Sequence, residues 1–208
     1  MLASTTAASF DGGMKLALRL ALLLPLALAL ALPPTAAGIQ QTPATESTIR
    51  LESRTVILVR HAEKSTEGDP KDPELSPDGH ERAQALARLL GHTAVTRLVA
   101  SEFKRTQATL APLAEQRKLT VDVRPAGDLD ALASELVSGA PGSVTVVCGH
   151  SNTLPALAAR LGVDLVDLEK GPQGPVLADD QYDRVFVLNL PPGSAPVRPS
   201  AFELRYGR

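Results

Sequence analysis

Apolar positions along this chain fall into short unbroken runs separated by stretches of helical spacing. Val56-Ile57-Leu58-Val59 is a run of branched aliphatics, the pattern of a strand buried on both faces in the middle of a parallel sheet. Similar runs over residues 97–100, 119–123 and 144–148 predict further strands, and residues 184–190 and 201–206 predict two late strands, antiparallel at a sheet edge. Between the first two runs, Ala83, Leu86, Leu89 and Leu90 recur at helical spacing, with Ser76 as N-cap, Pro77 in the first turn and Gly91 at the stop. A second helix starts after Arg105 and runs through about residue 117, and a third covers about 128–137. A fourth begins within a few residues of His150 and ends near Gly162, because Pro155 is tolerated only in a first turn. This alternation predicts an α/β fold, a three-layer α/β/α sandwich with a largely parallel central sheet. Residues 65–73 read as a loop, and residues 163–183, acidic and rich in Pro and Gly, as a long surface loop.

The amino terminus departs from this pattern. Lys15 and Arg19 precede a Leu/Ala run over residues 20–32, followed by Pro33, Pro34, Thr35, Ala36 and Ala37. A charged segment, a short apolar core and a small-residue exit predict a secretory signal peptide over residues 1–37, cleaved after Ala37. Met14 stands just before the charged segment, so residues 1–13 are an upstream extension or a mis-assigned start. Retention of the run as an anchor is the alternative, although it falls short of the ~20 apolar residues of a spanning helix. Residues 38–54 read as a linker and 55–208 as one domain. The expected location is therefore the periplasm or the exterior, with no stable membrane span after cleavage.

Composition narrows the chemistry. The 208 residues carry 21 Lys and Arg against 23 Asp and Glu, intermixed and without a basic tract, so nucleic acid is not an expected partner. The single cysteine, Cys148, ends an aliphatic run and reads as a small core hydrophobe, and an internal disulfide is excluded. His80 reads as solvated in a first helical turn and His92 as a loop residue.

The positions of the remaining polar residues are more informative. Arg60 and His61 follow the first strand, Arg105 follows the second within a turn or so, and His150 follows the fourth. In a parallel sheet such junctions gather at the carboxyl edge, where ligands are held. Two guanidinium groups offer paired N–H donors to phosphate oxygens, and helix starts after Arg105 and His150 add backbone N–H groups. A neutral imidazole among these cations is a nucleophile suited to phosphorus. His61 is that nucleophile in this reading, and His150 is a further donor to the phosphoryl oxygens.

Arg60-His61-Ala62, Ser101 through Arg105-Thr106 to Thr109, and Gly149-His150-Ser151, with residues 75–83, together resemble the histidine phosphatase superfamily, the phosphoglycerate-mutase-like fold of branch 1 type. The resemblance runs from about Thr55 to the end of the chain. It implies that His61 becomes phosphorylated, that Arg60, Arg105 and His150 bind the phosphoryl group, and that neither metal nor cofactor takes part. Ester-cleaving members supply an acid from the region after the third strand, which points to Asp128, with Asp130 behind it; Asp128 equally suits an N-cap. Glu63, beside the nucleophile, reads as orienting its neighbours or pairing with Lys64. The cluster Asp179-Asp180-Gln181-Tyr182-Asp183 reads as a solvated acidic loop rather than a cation site.

The resulting expectation is an exported phosphatase acting on a phosphomonoester, phosphoramidate or anhydride, its partner a small phosphorylated substrate or a phosphoprotein. A phosphate-binding module without turnover and a phosphoglycerate-type mutase are the alternatives. An intact nucleophile disfavours the first, and an export signal disfavours the second.

Overall fold

The computed structural model describes residues 53–193 and 197–207. The chain divides into two units, Met1–Gln40 and Gln41–Arg208, and every described residue belongs to the second. The stretch read as a signal peptide, residues 1–37, and nearly all of the expected linker lie outside the described residues. Among the described residues, no helix is long and apolar enough to cross a membrane.

Six strands form one sheet in the order β3-β2-β4-β1-β7-β8: β1 (Arg54–Arg60), β2 (Arg97–Ser101), β3 (Val121–Arg124), β4 (Val144–Gly149), β7 (Arg184–Leu190) and β8 (Ser200–Arg205). The first four in chain order run parallel, and β7 and β8 add antiparallel pairs at one side. The aliphatic runs of β1 and β4 lie next to each other in the middle, where both faces are covered. Val56 and Leu58 point into one core with Val147, Phe186 and Leu188, and Ile57 and Val59 into another with Val146 and Cys148. The first core is closed by helices α3 (Leu129–Ser138) and α4 (Thr153–Arg160), the second by α1 (Pro77–Leu90) and α2 (Lys104–Arg117). The three-layer sandwich is the architecture that the strand–helix alternation predicts.

Local signals act where they were expected. Ser76 Oγ accepts from the Gly79 N–H at 3.1 Å, with Pro77 in the first turn. Pro155 sits in the first turn of α4. Gly91 ends α1 in right-handed backbone, so its role is contact rather than φ: an added Cβ would lie 2.4 Å from Gln116 Nε2. Gly79 is tighter still, since a Cβ there would lie 2.2 Å from the carbonyl oxygen of Glu63. The same oxygen accepts from the Ser76 N–H at 2.9 Å, so the start of α1 rests directly on the backbone that leaves β1.

Two expectations are corrected. Helix α2 begins at Lys104, before Arg105 rather than after it, and this seats Arg105 in the first turn. Residues 163–183 are not an open loop. They contain the hairpin of β5 (Glu169–Gly171) and β6 (Gly174–Val176), and Leu177 beyond it is buried in the core beside α4. A single apolar residue in a polar stretch has no periodicity to reveal it.

Gly79→Ala is expected to cost about 1–3 kcal/mol by overpacking, a fall of roughly 5 °C in Tm. Gly127→Ala, where an added Cβ meets nothing within 4 Å, is the control. Thermal melts of the two variants check this.

Candidate active site

The carboxyl ends of β1, β2 and β4 meet as the topology requires. Arg60 pairs with Gly149 across the ladder, and the His61 N–H continues it by donating to the Gly149 carbonyl at 2.9 Å. His61 and His150 thereby become neighbours on adjacent strands, with ring centroids 5.3 Å apart. A cavity of about 370 Å³ opens over them, walled by Arg60, Arg105, Phe103 and Asp179.

Both arginines are largely shielded from water, and burial lowers the pKa of each. Arg60 Nη1 donates to the carbonyls of Ala178 (2.7 Å), Asp179 (3.2 Å) and Gln181 (3.3 Å), and its guanidinium lies 4.2 Å from the centre of the Tyr182 ring. Arg105 lies 4.4 Å from the Phe103 ring, with Nη1 3.6 Å from Asp72 Oδ1. Arg60 Nε, Arg105 Nε and Arg105 Nη1 are buried without a hydrogen-bond partner. Such donors cost on the order of 1–3 kcal/mol each or more when left unmet. Arg60 and Arg105 both line the cavity, so their guanidinium groups are the donors nearest to an anion held there.

The imidazoles can be assigned from their partners. His61 Nδ1 is 2.8 Å from the Ala62 carbonyl, which can only accept, so Nδ1 carries the proton and Nε2 carries the free lone pair. His150 Nε2 is 2.9 Å from Ser101 Oγ, which is 2.9 Å from Thr106 Oγ1. The Thr106 hydroxyl donates to the Phe103 carbonyl at 2.7 Å, so Ser101 must donate to Thr106 and accept from His150 Nε2–H. The neutral His150 ring therefore keeps its lone pair on Nδ1. Thr109 accepts from the Ala62 N–H at 2.9 Å and donates to the Arg105 carbonyl at 2.7 Å, clamping the residue after His61 to α2. Burial is the main cause that pushes His61 down to about 3, with His150, Arg60 and Arg105 acting the same way. His150 is pushed down to about 4, by burial first and then by Arg105.

The structure thus brings together Arg60, His61, Arg105 and His150. Asp128 is not among the residues that line the cavity. It is exposed, at the N-terminus of α3, and makes no capping hydrogen bond; Ala126 represents that turn in the cavity wall. Asp130 pairs with Arg160 at 2.5 Å. Glu63 turns to Arg82, which it holds through both oxygens at 2.8 and 2.9 Å, rather than to Lys64. In the stretch read as a solvated acidic loop, the Asp179 and Asp180 side chains are exposed as expected, while the carbonyls of residues 178, 179 and 181 and the Tyr182 ring pack on Arg60, and Asp179 lines the cavity. Phe103 and Tyr182 were also missed: a lone aromatic in a polar stretch has no pattern, although both lie within two residues of a charged neighbour they could have faced. Among the described residues, no group of three or more His, Cys, Asp or Glu side chains is placed to hold a metal ion.

The sequence model of the histidine phosphatase superfamily (branch 1) matches residues 56–126. Among solved structures, the chain is similar to a mycobacterial glucosyl-3-phosphoglycerate phosphatase, with 20% identity over 74% of this chain and 100% of that one and a TM-score of 0.54. It is similar to the protein histidine phosphatase SixA complexed with tungstate, at 17% identity over 73% and 96% of the two chains and a TM-score of 0.55. Mycobacterial hydrolase 2 aligns at 19% identity over 73% and 89%, with a TM-score of 0.52. These likenesses establish a shared fold. No curated protein matches the chain.

Both folded-state imidazole values lie below the ordinary 6.5, so the unfolded chain takes up protons first as the pH falls. The neutral rings contribute stability in full above about pH 6.5, and it is lost progressively towards about pH 3. His61→Ala is expected to flatten that acid limb. Thermal melts from pH 7.5 to 4 check it, and equal slopes in the two proteins would contradict the burial of a neutral ring.

Proposed function

We propose that this chain is a phosphatase of the histidine phosphatase superfamily, whose family model matches residues 56–126, and that it works through a phosphohistidine on His61. One observation carries the reading: His61, whose Nδ1 proton is committed to the Ala62 carbonyl, lines the same cavity as Arg60, Arg105 and His150. Phosphoryl transfer asks mainly for positioning and for charge stabilisation at the equatorial oxygens, and these groups supply both.

In the first step Nε2 attacks phosphorus, an N–P bond forms and the bond from phosphorus to the leaving group breaks. The departing oxygen or nitrogen takes a proton from an acid or from water. In the second step water attacks phosphorus and gives a proton back to the group that supplied one in the first, the P–N bond breaks, phosphate leaves and the lone pair returns to Nε2. Arg60 and Arg105 donate to the phosphoryl oxygens throughout. The hydroxyl pair Ser101 and Thr106 keeps His150 with Nδ1 towards the site, where it accepts a proton in the neutral state and donates one when charged. No step requires a metal. The charged and apolar pattern of residues 15–37 supports export, and places the reaction in the periplasm or outside the cell under this reading.

The acid is assigned by position. Asp179 stands on the cavity wall, whereas Asp128 is two residues beyond the wall residue Ala126. Aryl phosphates and phosphoramidates leave without strong assistance, and alkyl esters do not. Asp179→Asn is expected to lower alkyl-ester turnover by about 10²-fold while sparing aryl esters, and Asp128→Asn to show that selective loss only if its loop closes over bound substrate.

The primary test is hydrolysis of para-nitrophenyl phosphate by residues 38–208 in the presence of chelator. His61→Ala is expected to lose on the order of 10³-fold or more, with an alkali-stable, acid-labile phosphohistidine trapped under alkaline conditions only in the wild type. Full turnover in His61→Ala would refute the nucleophile.

A further inference from the structure

A second cavity, of about 780 Å³, lies beside the phosphoryl cavity. The two share Ala126, Ser151, Asn152, Thr153 and Asp179, so they adjoin along that wall. The second is bounded by the start of α3, the outer side of α4 and the β5–β6 hairpin. Its position suits the part of a substrate that is not phosphate, and its size is in the range that encloses ligands of drug-like bulk.

The wall chemistry narrows what that part can be. Leu129, Leu165 and Leu168 form a floor that packs against the core, and Pro155, Ala159 and Val176 continue it upward. Its one cation, Arg160, is already engaged by Asp130 at 2.5 Å and by the Ala156 carbonyl at 3.0 Å. Its other charged residues are Asp164 and Asp179, so the wall repels a second anionic group on the substrate. No aromatic side chain lines it, which leaves a sugar ring or a base without a flat face to stack on. The uncharged polar side chains are Ser151, Asn152 and Thr153, where the two cavities join, and Gln173 in the β5–β6 hairpin.

We propose that this cavity binds the leaving group, and that the substrate is a small phosphomonoester of an uncharged, largely apolar alcohol. The inference rests on the phosphatase reading above and adds the substrate class to it.

The test is a series of straight-chain alkyl phosphates from propyl to octyl, whose leaving groups differ little in basicity. Glycerol phosphate, 3-phosphoglycerate, a hexose phosphate and a phosphoserine peptide are run beside them, with phosphoramidate as the substrate that has no organic leaving group. The expected result is a rise in kcat/KM of about 3-fold per added methylene until the cavity is filled, with every octyl-to-anionic comparison favouring octyl. Ala159→Glu, on the exposed side of α4, is expected to abolish the chain-length dependence while the melting temperature is kept. A flat series with active phosphoramidate, or preference for a charged, sugar or peptide substrate, would overturn the substrate class and leave the phosphatase reading standing. Inactivity towards phosphoramidate and every ester would overturn both.

Discussion

The parallel pairing of β1 with β4 is the constraint on which the site depends. Each strand is a short run of aliphatics that is stable only with both faces covered, and the two lie in register from Thr55 opposite Val144 to Arg60 opposite Gly149. One further hydrogen bond, from His61 N–H to Gly149, carries the ladder past the end of the apolar run. A slip of one residue would turn every side chain of β1 to the other core and send the imidazole away from its neighbour. Hydrophobic burial therefore sets the distance between two polar rings that make no hydrogen bond to each other.

Holding two guanidinium groups in the same region is costly, and the fold offsets the cost from opposite sides. Arg105 uses the ring of Phe103 and the carboxylate of Asp72. Arg60 uses carbonyls from residues 178–181 and the ring of Tyr182. That segment is itself anchored by Arg184, fully buried in β7, which donates to the Gln181 side chain, to the carbonyls of Val166 and Asp167 and to both oxygens of Glu203 in β8. The antiparallel edge of the sheet thus supports Arg60 from behind, and neither Arg184 nor Glu203 lines the cavity. Both planar guanidinium groups are thereby fixed at the cavity wall, with a definition that a flexible lysine would not have.

How much of this could be read from the sequence depended on how local the cause was. Val56–Val59 and the Ser76 cap act on their own neighbourhood, and both formed as their patterns predict. The convergence of Arg60, His61, Arg105 and His150 was legible because parallel topology alone gathers strand ends. The contact of residues 178–182 with Arg60 spans more than a hundred residues and leaves no period or cap in the chain, so an acidic, polar stretch was read as solvated. Asp128 suited two roles by position, and the orientation of a short turn, invisible in the sequence, set it outside the wall. Thr106 and Thr109 were visible as parts of a motif, while their hydrogen-bonding duties required the helix to begin at Lys104.

The excursion between residues 64 and 75 is pinned at its base. Lys64 bridges Leu75, the Ser65 N–H donates to the Glu74 carbonyl at 2.8 Å, and Ser76 N–H returns to Glu63. Its middle reaches across to α2, where Asp72 accepts from the Lys104 N–H at 3.0 Å. A segment clamped at its stem in this way is a graft point. Doubling its length costs only about 0.6 kcal/mol in closure entropy, and nothing below the stem has to move. The fold can therefore exchange what stands over Arg105 while β1 and the residues at its carboxyl end stay fixed, so that a lineage built on this scaffold is free to reshape the rim of the cavity without disturbing its floor.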